Sequence, residues 1–125
     1  MERREFFGIA ALSLVAGCAG PAFGRIEKVE EAYGLIGQML VAEGMRDLVV
    51  DALVEGTGDM PGNLAYLIAE DIADPNSIWI TEVWRTKTDH ANSLSLPGVQ
   101  AAIAKARPHI TGFGTRIETR PVFAD

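Results

Sequence analysis

Glu82 is the acidic residue whose sequence position most favours acid–base chemistry. It falls in the segment from Ile78 to Arg85, whose alternation predicts a strand with Ile78, Ile80, Glu82 and Trp84 on one face. A carboxyl group among apolar neighbours has a raised pKa and can accept a proton as a general base. An ion pair with an arginine at a subunit interface fits the same pattern equally well.

Four further side chains are candidates to form a site with Glu82. Trp84 shares its strand face and would either line a pocket or pack in the core. His90, in the helix expected after Trp84, would take part in catalysis or else face solvent or cap the helix. Tyr66, on the neighbouring strand, would donate to a phenolate or simply pack. We therefore predict Glu82, His90 and Trp84 as catalytic residues, and Tyr66, Trp84 and Gln38 as substrate-binding residues.

The composition argues against metal and nucleic-acid sites. Cys18 is the only cysteine, and His90 and His109 are the only histidines. Cysteine-based zinc or iron–sulfur sites are therefore excluded, and we expect no metal site. The net charge of −6 would repel phosphate backbones, so we expect no nucleic-acid partner.

The N-terminus has the pattern of a removable leader. Arg3 and Arg4 precede an apolar run, residues 9–16, which is too short to span a bilayer and has the size of a signal-peptide core. The arginine pair followed by Phe6 and Phe7 resembles a twin-arginine (Tat) leader. A short hydrophobic strand or helix is the other interpretation of this run.

The end of this leader predicts where the protein would be attached. Residues 15–18 resemble a lipobox, in which Cys18 is lipidated and becomes the new N-terminus. A cut near Gly24 would instead release a soluble protein. We expect a signal peptide over 1–18, a tether over 19–32 and one domain over 33–125, exported to the periplasm or cell envelope, with any membrane contact through the lipid alone.

Periodicity and breaker residues predict four strands and three helices, in the order β-α-β-β-α-β when the two consecutive helices before the last strand are counted as one. The strands are expected at 34–42, 63–71, 78–85 and 113–122, and the helices at 43–55, after Thr86 through Leu94, and from Pro97 to Pro108. Thr86 and Asp89 have the spacing of a capping box. The first helix has an apolar stripe at Met45, Leu48, Val49, Ala52 and Leu53.

This order is that of the split βαβ, or ferredoxin-like, fold of the α+β class. Its helices would cover one face of an antiparallel sheet. The other face keeps apolar side chains that a small domain cannot leave in water. We therefore expect a homodimer in which two sheets pack face to face, a dimeric α+β barrel.

The chain resembles the antibiotic-biosynthesis monooxygenase (ABM) family, which includes candidate quinol monooxygenases, from about Leu35 to Val122. The resemblance lies in Glu82-Val83-Trp84 at the end of a strand, Asp74-Pro75 in the preceding hairpin, the helix after Trp84, and the tail over residues 106–119. Two histidines frequent in the family align with Ser93 and Gly98 here, and His90 lies three residues before the first of these positions.

The resemblance implies oxidation of a quinol or polyphenol by O₂ without a flavin, metal or nicotinamide cofactor. The substrate anion would donate one electron to O₂, and the radical pair would then recombine. Such a reaction needs a dry apolar pocket, a proton acceptor and a donor that holds the anion.

Two other functions fit the same fold. The chain would bind or degrade haem if His90 were the iron ligand, as a histidine is in relatives of this fold. It would be a non-catalytic module for small ligands if the pocket were used without a base.

Overall fold

The computed structural model describes residues 31–124 of the 125-residue chain. The predicted leader, the lipid attachment at Cys18 and nearly all of the predicted tether lie outside these residues. Glu31 to Pro121 form one compact unit, and residues 122–124 belong to a second unit and contain no helix or strand. Within the described range, no helix is both long enough and apolar enough to cross a bilayer.

The elements follow the predicted order. The strands are β1 (Tyr33–Val41), β2 (Asn63–Glu70), β3 (Ser77–Trp84) and β4 (Ile110–Thr119), and the helices are α1 (Arg46–Gly56), α2 (Lys87–Ser93) and α3 (Pro97–Ala106). One 3₁₀ turn, Arg107–His109, joins α3 to β4. The predicted α+β, ferredoxin-like class is confirmed.

The four strands form one antiparallel sheet in the order β2-β3-β1-β4. Strand β1 has partners on both sides, as is usual for a strand with apolar residues on both faces. Strands β2 and β3 form the predicted hairpin. The sheet therefore places β3, which carries Glu82, between β2 and β1.

The helices cover one face of the sheet, which we call the helix face. Ile78 and Ile80 on β3 pack with Val49 and Leu53 of α1 in one core cluster. A second cluster joins strand residues to Met60 and to α3; its strand members are Tyr33, Leu35 and Trp84. The predicted grouping of Ile78, Ile80, Glu82 and Trp84 on one face is confirmed, and that face is the covered one.

The opposite side, which we call the open face, also carries apolar side chains. Ile36 pairs with Thr81 on one side and with Ile117 on the other, and Leu67 pairs with Thr81, so these four residues form a row across the sheet. Leu67 and Ile117 are 60% and 49% exposed.

Three predicted boundaries and one predicted core position are wrong. Strand β4 ends at Thr119 rather than 122. Strand β4 begins at Ile110 rather than 113, because Gly112 and Gly114 lie inside the strand instead of before it. Helix α1 begins at Arg46 rather than 43, because residues 42–45 form a turn closed by the amide of Met45 on the carbonyl of Ala42. Leu48 is 43% exposed, because α1 turns positions 49, 52 and 53 inward and places Leu48 at the flank.

The capping box at the start of α2 is confirmed in its first half. The hydroxyl of Thr86 accepts a hydrogen bond from the backbone amide of Asp89 at 3.0 Å. This bond satisfies one of the free amides of the first turn. The cap fixes the start of α2 directly after β3, and so determines where His90 lies.

Helices α1 and α3 approach closely where each has a glycine. A Cβ atom on Gly56 would come within 2.5 Å of the Ala102 methyl group and 2.6 Å of the Gly98 carbonyl oxygen. A Cβ atom on Gly58, two residues along, would meet no atom within 4 Å. Of Gly56 and Gly58, the packing of the two helices therefore requires glycine only at Gly56.

Replacing Gly56 by alanine should destabilise the protein by about 1–3 kcal/mol, because the added methyl group overpacks the α1–α3 contact. Gly58→Ala is the matched control and should change stability by less than about 1 kcal/mol. Urea unfolding followed by circular dichroism measures both. Equal midpoints for the two variants would contradict the close packing.

Candidate active site

The candidate site is built around Glu82 on the helix face of β3. Its backbone partners are Leu35 on β1 and Tyr66 on β2. Since directly paired residues point to the same side of a sheet, all three side chains face the helix layer. The Glu82 side chain is only 14% exposed.

The Glu82 carboxylate is held by Trp84. The indole Nε1 of Trp84 donates to Glu82 Oε1 at 2.9 Å, and the Trp84 side chain is fully buried. The two residues share a face because they are two positions apart on one strand. The buried indole therefore fixes the carboxylate and partly replaces its lost hydration.

His90 reaches the same carboxylate from α2. Its Nε2 atom lies 3.8 Å from Glu82 Oε1, and its side chain is 16% exposed. Its ring lies between two aromatic rings, with centroids 5.5 Å from Tyr33 and 5.6 Å from Trp84, the latter edge-on. The structure thus brings together the three residues predicted as catalytic.

Burial raises the pKa of Glu82 above its usual value. The hydrogen bond from Trp84 and the nearby charges of His90 and Arg116 act in the opposite direction, and burial is the larger effect. A carboxylate with a raised pKa is a stronger base than an exposed one, which suits it to removing a proton from a weak acid.

A cavity of about 450 Å³ lies against Glu82. Its walls are mostly apolar, and its polar side chains are few; the lining residues are Leu35, Gly37, Gln38, Met39, Ile80, Glu82, Phe113, Thr115 and Arg116. This volume falls within the range of small-molecule sites. The cavity therefore combines one buried acid, one cation and an apolar interior.

Tyr66, predicted to bind substrate, pairs with Glu82 across the β2–β3 ladder and packs on both core clusters. Burial, and to a lesser degree the Glu82 charge, raise the pKa of its hydroxyl above the ordinary value for tyrosine. The cavity lining does not include Tyr66, Trp84 or His90. These three residues are neighbours of Glu82 instead.

Gln38, the other predicted substrate-binding residue, contributes to the cavity lining. Its side-chain amide is already used elsewhere: Nε2 donates to Ser77 Oγ at 2.9 Å, and Oε1 accepts from the Thr115 amide at 3.4 Å. Both bonds tie β1 to neighbouring strands. A role of Gln38 in binding substrate stays a prediction.

Arg116 and Tyr33 are site residues that the sequence reasoning missed. Arg116 lines the cavity from β4, and Tyr33 packs against His90. The Tyr33 hydroxyl donates to Glu118 Oε2 at 2.7 Å, and Lys87 Nζ lies 3.2 Å from the same oxygen. We call Tyr33, Lys87 and Glu118 the latch, because they join β1, α2 and β4. One sequence signal could have indicated Arg116: it is two positions from Glu118 in the predicted last strand, so the two charged side chains lie on the same face.

Among residues 31–124, no group of three or more histidine, cysteine, aspartate or glutamate side chains converges as metal ligands would.

The model of the antibiotic biosynthesis monooxygenase family matches residues 32–105. The chain belongs to this family. The match includes β1 through most of α3, and so contains Glu82, Trp84 and His90. Membership supports a small-molecule monooxygenase in general terms.

Solved structures agree with the family assignment. A candidate antibiotic biosynthesis monooxygenase from Chloroflexus aurantiacus is 49% identical, with a TM-score of 0.73, over 76% of this chain and 97% of that one. A second candidate member, from Nitrosomonas europaea, is 15% identical with a TM-score of 0.63 over 75% and 91% of the two chains, and shares the fold alone. No curated protein matches the chain.

The raised pKa of Glu82 makes stability depend on pH. Because the unfolded chain ionises this group near 4.5 and the folded protein only at higher pH, the unfolded state binds fewer protons in between. Glu82 therefore lowers the free energy of unfolding as pH rises from about 4.5 to its folded pKa.

Glu82→Gln should remove this component while keeping an oxygen to accept from Trp84. The free energy of unfolding of the variant minus that of the wild type should increase as pH rises through that interval. It should stay constant at higher pH. Urea unfolding at a series of pH values measures it. A difference that is independent of pH would show that Glu82 ionises normally in the folded protein.

Proposed function

We propose that the protein is a cofactor-independent monooxygenase that oxidises a quinol or polyphenolic small molecule with O₂. The observation that carries the proposal is Glu82, a buried carboxyl group of raised pKa that borders an apolar cavity of about 450 Å³. Family membership supports the reaction class, and the acid–base arrangement supports a phenolic substrate.

The first step of the proposed reaction is removal of a proton from a substrate hydroxyl by Glu82. The anion then donates one electron to O₂, which becomes superoxide. Low polarity in the cavity limits side reactions of this radical pair with water. Arg116, also on the cavity wall, would stabilise the negative charge of the substrate anion and of superoxide.

The second step forms the product. Substrate radical and superoxide combine through a new C–O bond to a peroxide, which takes back the proton held by Glu82. The hydrogen on the same ring carbon then leaves as a proton, and its bonding electrons form a C=O bond as the O–O bond breaks. The departing hydroxide takes up a proton and leaves as water, and the retained oxygen is a carbonyl or, after tautomerisation, an enol oxygen. One quinol and one O₂ thus give one hydroxyquinone and one water.

Glu82→Gln should lower kcat for a reduced naphthoquinone by about 100-fold or more, because a general base contributes about 10²–10⁴ to a rate. Oxygen uptake, corrected for the uncatalysed oxidation, measures it. Glu55→Gln, an exposed carboxylate on α1 paired with Lys105, is the matched control and should keep wild-type turnover. If the wild-type protein takes up oxygen no faster than the uncatalysed reaction with several quinols, the proposed monooxygenase activity is refuted.

We also propose that the active form is a homodimer in which the open faces of two copies pack together. The row of Leu67, Thr81, Ile36 and Ile117 supports this, because an exposed apolar patch of this kind is typical of an interaction surface. A two-fold axis would pair the patch with itself.

Leu67→Lys should convert the dimer to a monomer, since each interface would bury two added charges. Val54→Lys is the control, because Val54 on α1 is also 60% exposed but lies away from the open face. Sedimentation velocity distinguishes the two species. A monomeric wild type, or a Leu67→Lys variant that stays dimeric, would refute this interface.

A further inference from the structure

Phe113 lies on the cavity face of β4, although a regular strand would place it on the other face. It pairs with Met39 on β1, and Arg116 pairs with Gly37, two positions from Met39. Directly paired residues point to the same side of a sheet, and so do residues two apart on one strand. Phe113 and Arg116 therefore share a face, although three positions separate them. One extra residue in β4, a β-bulge, makes this possible.

A second bulge lies on the other side of Phe113. Val41 pairs with Ile110, three positions before Phe113. On β1, Val41 is only two positions from Met39, so β4 again has one residue more than β1. Ile110 packs against the core cluster that includes α1, which places it on the helix face. The two bulges thus add Phe113 to the face that carries Ile110 and Arg116.

The packing of the chain does not explain why Phe113 points this way. Its side chain lines the cavity and is still 72% exposed. The dimer proposed above does not cover it, because that dimer packs the open faces together and Phe113 lies on the helix face. Bulges are frequent next to active sites, where they change the direction of a side chain. Contact with a ligand in the cavity accounts for both the bulges and the exposed ring.

Gln38 holds the bulge between Phe113 and Arg116. It lies opposite two residues of β4, Gly114 and Thr115. Its Oε1 accepts from the Thr115 amide at 3.4 Å, and its Nε2 donates at 2.9 Å to the hydroxyl of Ser77 on β3, which is fully buried. A Cβ atom on Gly114 would overlap the Gln38 amide, so glycine lets this amide lie against the bulge.

Phe113 and Glu82 line the same cavity but lie far apart in it. Glu82 is opposite Leu35 on one side of β1, and Phe113 is opposite Met39 on the other side. Four residues along β1 and two strand spacings place their Cα atoms roughly 16 Å apart. A ligand whose hydroxyl meets Glu82 therefore meets Phe113 only with a group remote from that hydroxyl.

We propose that Phe113 is a specificity-determining residue that packs against an aromatic group remote from the reacting hydroxyl, and that Gln38 is the positioning residue that holds it there. The inference rests on the proposed function for the role of Glu82. Aromatic pairs stabilise a contact beyond the burial of their area. Because no bond changes at this end of the ligand, the contact is equal in the ground and transition states and acts on KM rather than kcat.

Equilibrium dialysis of the full-length protein measures this contact without turnover. The probes are 4-phenylphenol, whose second ring lies opposite its hydroxyl, and phenol, which has no second ring. Phe113→Ala should weaken binding of 4-phenylphenol by about three- to tenfold and that of phenol by less than about twofold. Val54→Ala is the matched control, because it removes an apolar side chain that is 60% exposed and outside the cavity lining. It should change neither affinity.

Gln38→Leu removes both hydrogen bonds of the amide and should cause the same selective loss as Phe113→Ala. Gln38→Glu keeps an oxygen that accepts from the Thr115 amide, so it should bind 4-phenylphenol more tightly than Gln38→Leu does. Because Gln38 acts through Phe113, the double variant should lose less than about twofold beyond Phe113→Ala alone. Losses that multiply in the double variant would overturn the positioning role.

Oxygen uptake separates this inference from the proposed function. With phenylhydroquinone, Phe113→Ala should raise KM about three- to tenfold and leave kcat unchanged, whereas KM for hydroquinone should stay constant. The expected binding pattern without uptake by wild type would support the inference and refute the monooxygenase. Uptake by wild type, together with equal or no losses for the two probes in Phe113→Ala, would overturn the inference alone.

Two further results would also overturn the inference. One is that wild type does not bind 4-phenylphenol at millimolar concentration. The other is that sedimentation velocity finds a dimeric wild type and a monomeric Phe113→Ala variant, since Phe113 would then serve an interface between copies of the chain.

Discussion

The hydrogen bond from the Trp84 indole to the Glu82 carboxylate is the interaction on which the site depends. A carboxylate that is 14% exposed has lost most of its hydration, and leaving it without a partner would cost several kcal/mol. The indole supplies that partner at 2.9 Å. Because Trp84 is itself fully buried, the donor cannot move away without disturbing the core. Burial still outweighs the bond, so the carboxyl group keeps a raised pKa.

A second constraint keeps the strand that bears these residues in register. The Arg46 guanidinium donates to the carbonyl oxygens of Asp71 and Asp74, both at 3.0 Å, and to that of Ser77 at 3.3 Å. One side chain from α1 thus holds the backbone of the turn between β2 and β3 in place. The register of this hairpin determines that Tyr66 lies opposite Glu82. A slip of one residue would move Glu82 to the open face.

Local patterns predicted the parts of the site that follow from one strand or one cap. The period of two placed Glu82 and Trp84 on the same face, and the Thr86 cap placed His90 just after β3. Arg116 could not be placed in this way, because its approach to Glu82 depends on pairing between β1 and β4, whose register shifts between Gly37 and Met39. The same register shift, together with two glycines inside β4, is the reason that the start of this strand was predicted three residues too late. Gln38 was predicted to contact substrate, because the amino-acid sequence alone does not show that its side-chain amide is hydrogen-bonded to Ser77 and Thr115.

The latch makes the site sensitive to a property of the solvent. Glu118 is exposed. The hydrogen bond from Tyr33 lowers its pKa most, and the contacts with Lys87 lower it further, so the carboxylate stays ionised to a lower pH than usual. The Lys87–Glu118 ion pair is also exposed, and exposed pairs are screened as ionic strength rises. Tyr33, however, is buried and packs against His90, and it keeps its bond to the same carboxylate. Added salt would therefore loosen α2 from β4 while leaving the aromatic contact with His90 in place, so that the ionic strength of the medium affects how firmly the helix that carries His90 is held.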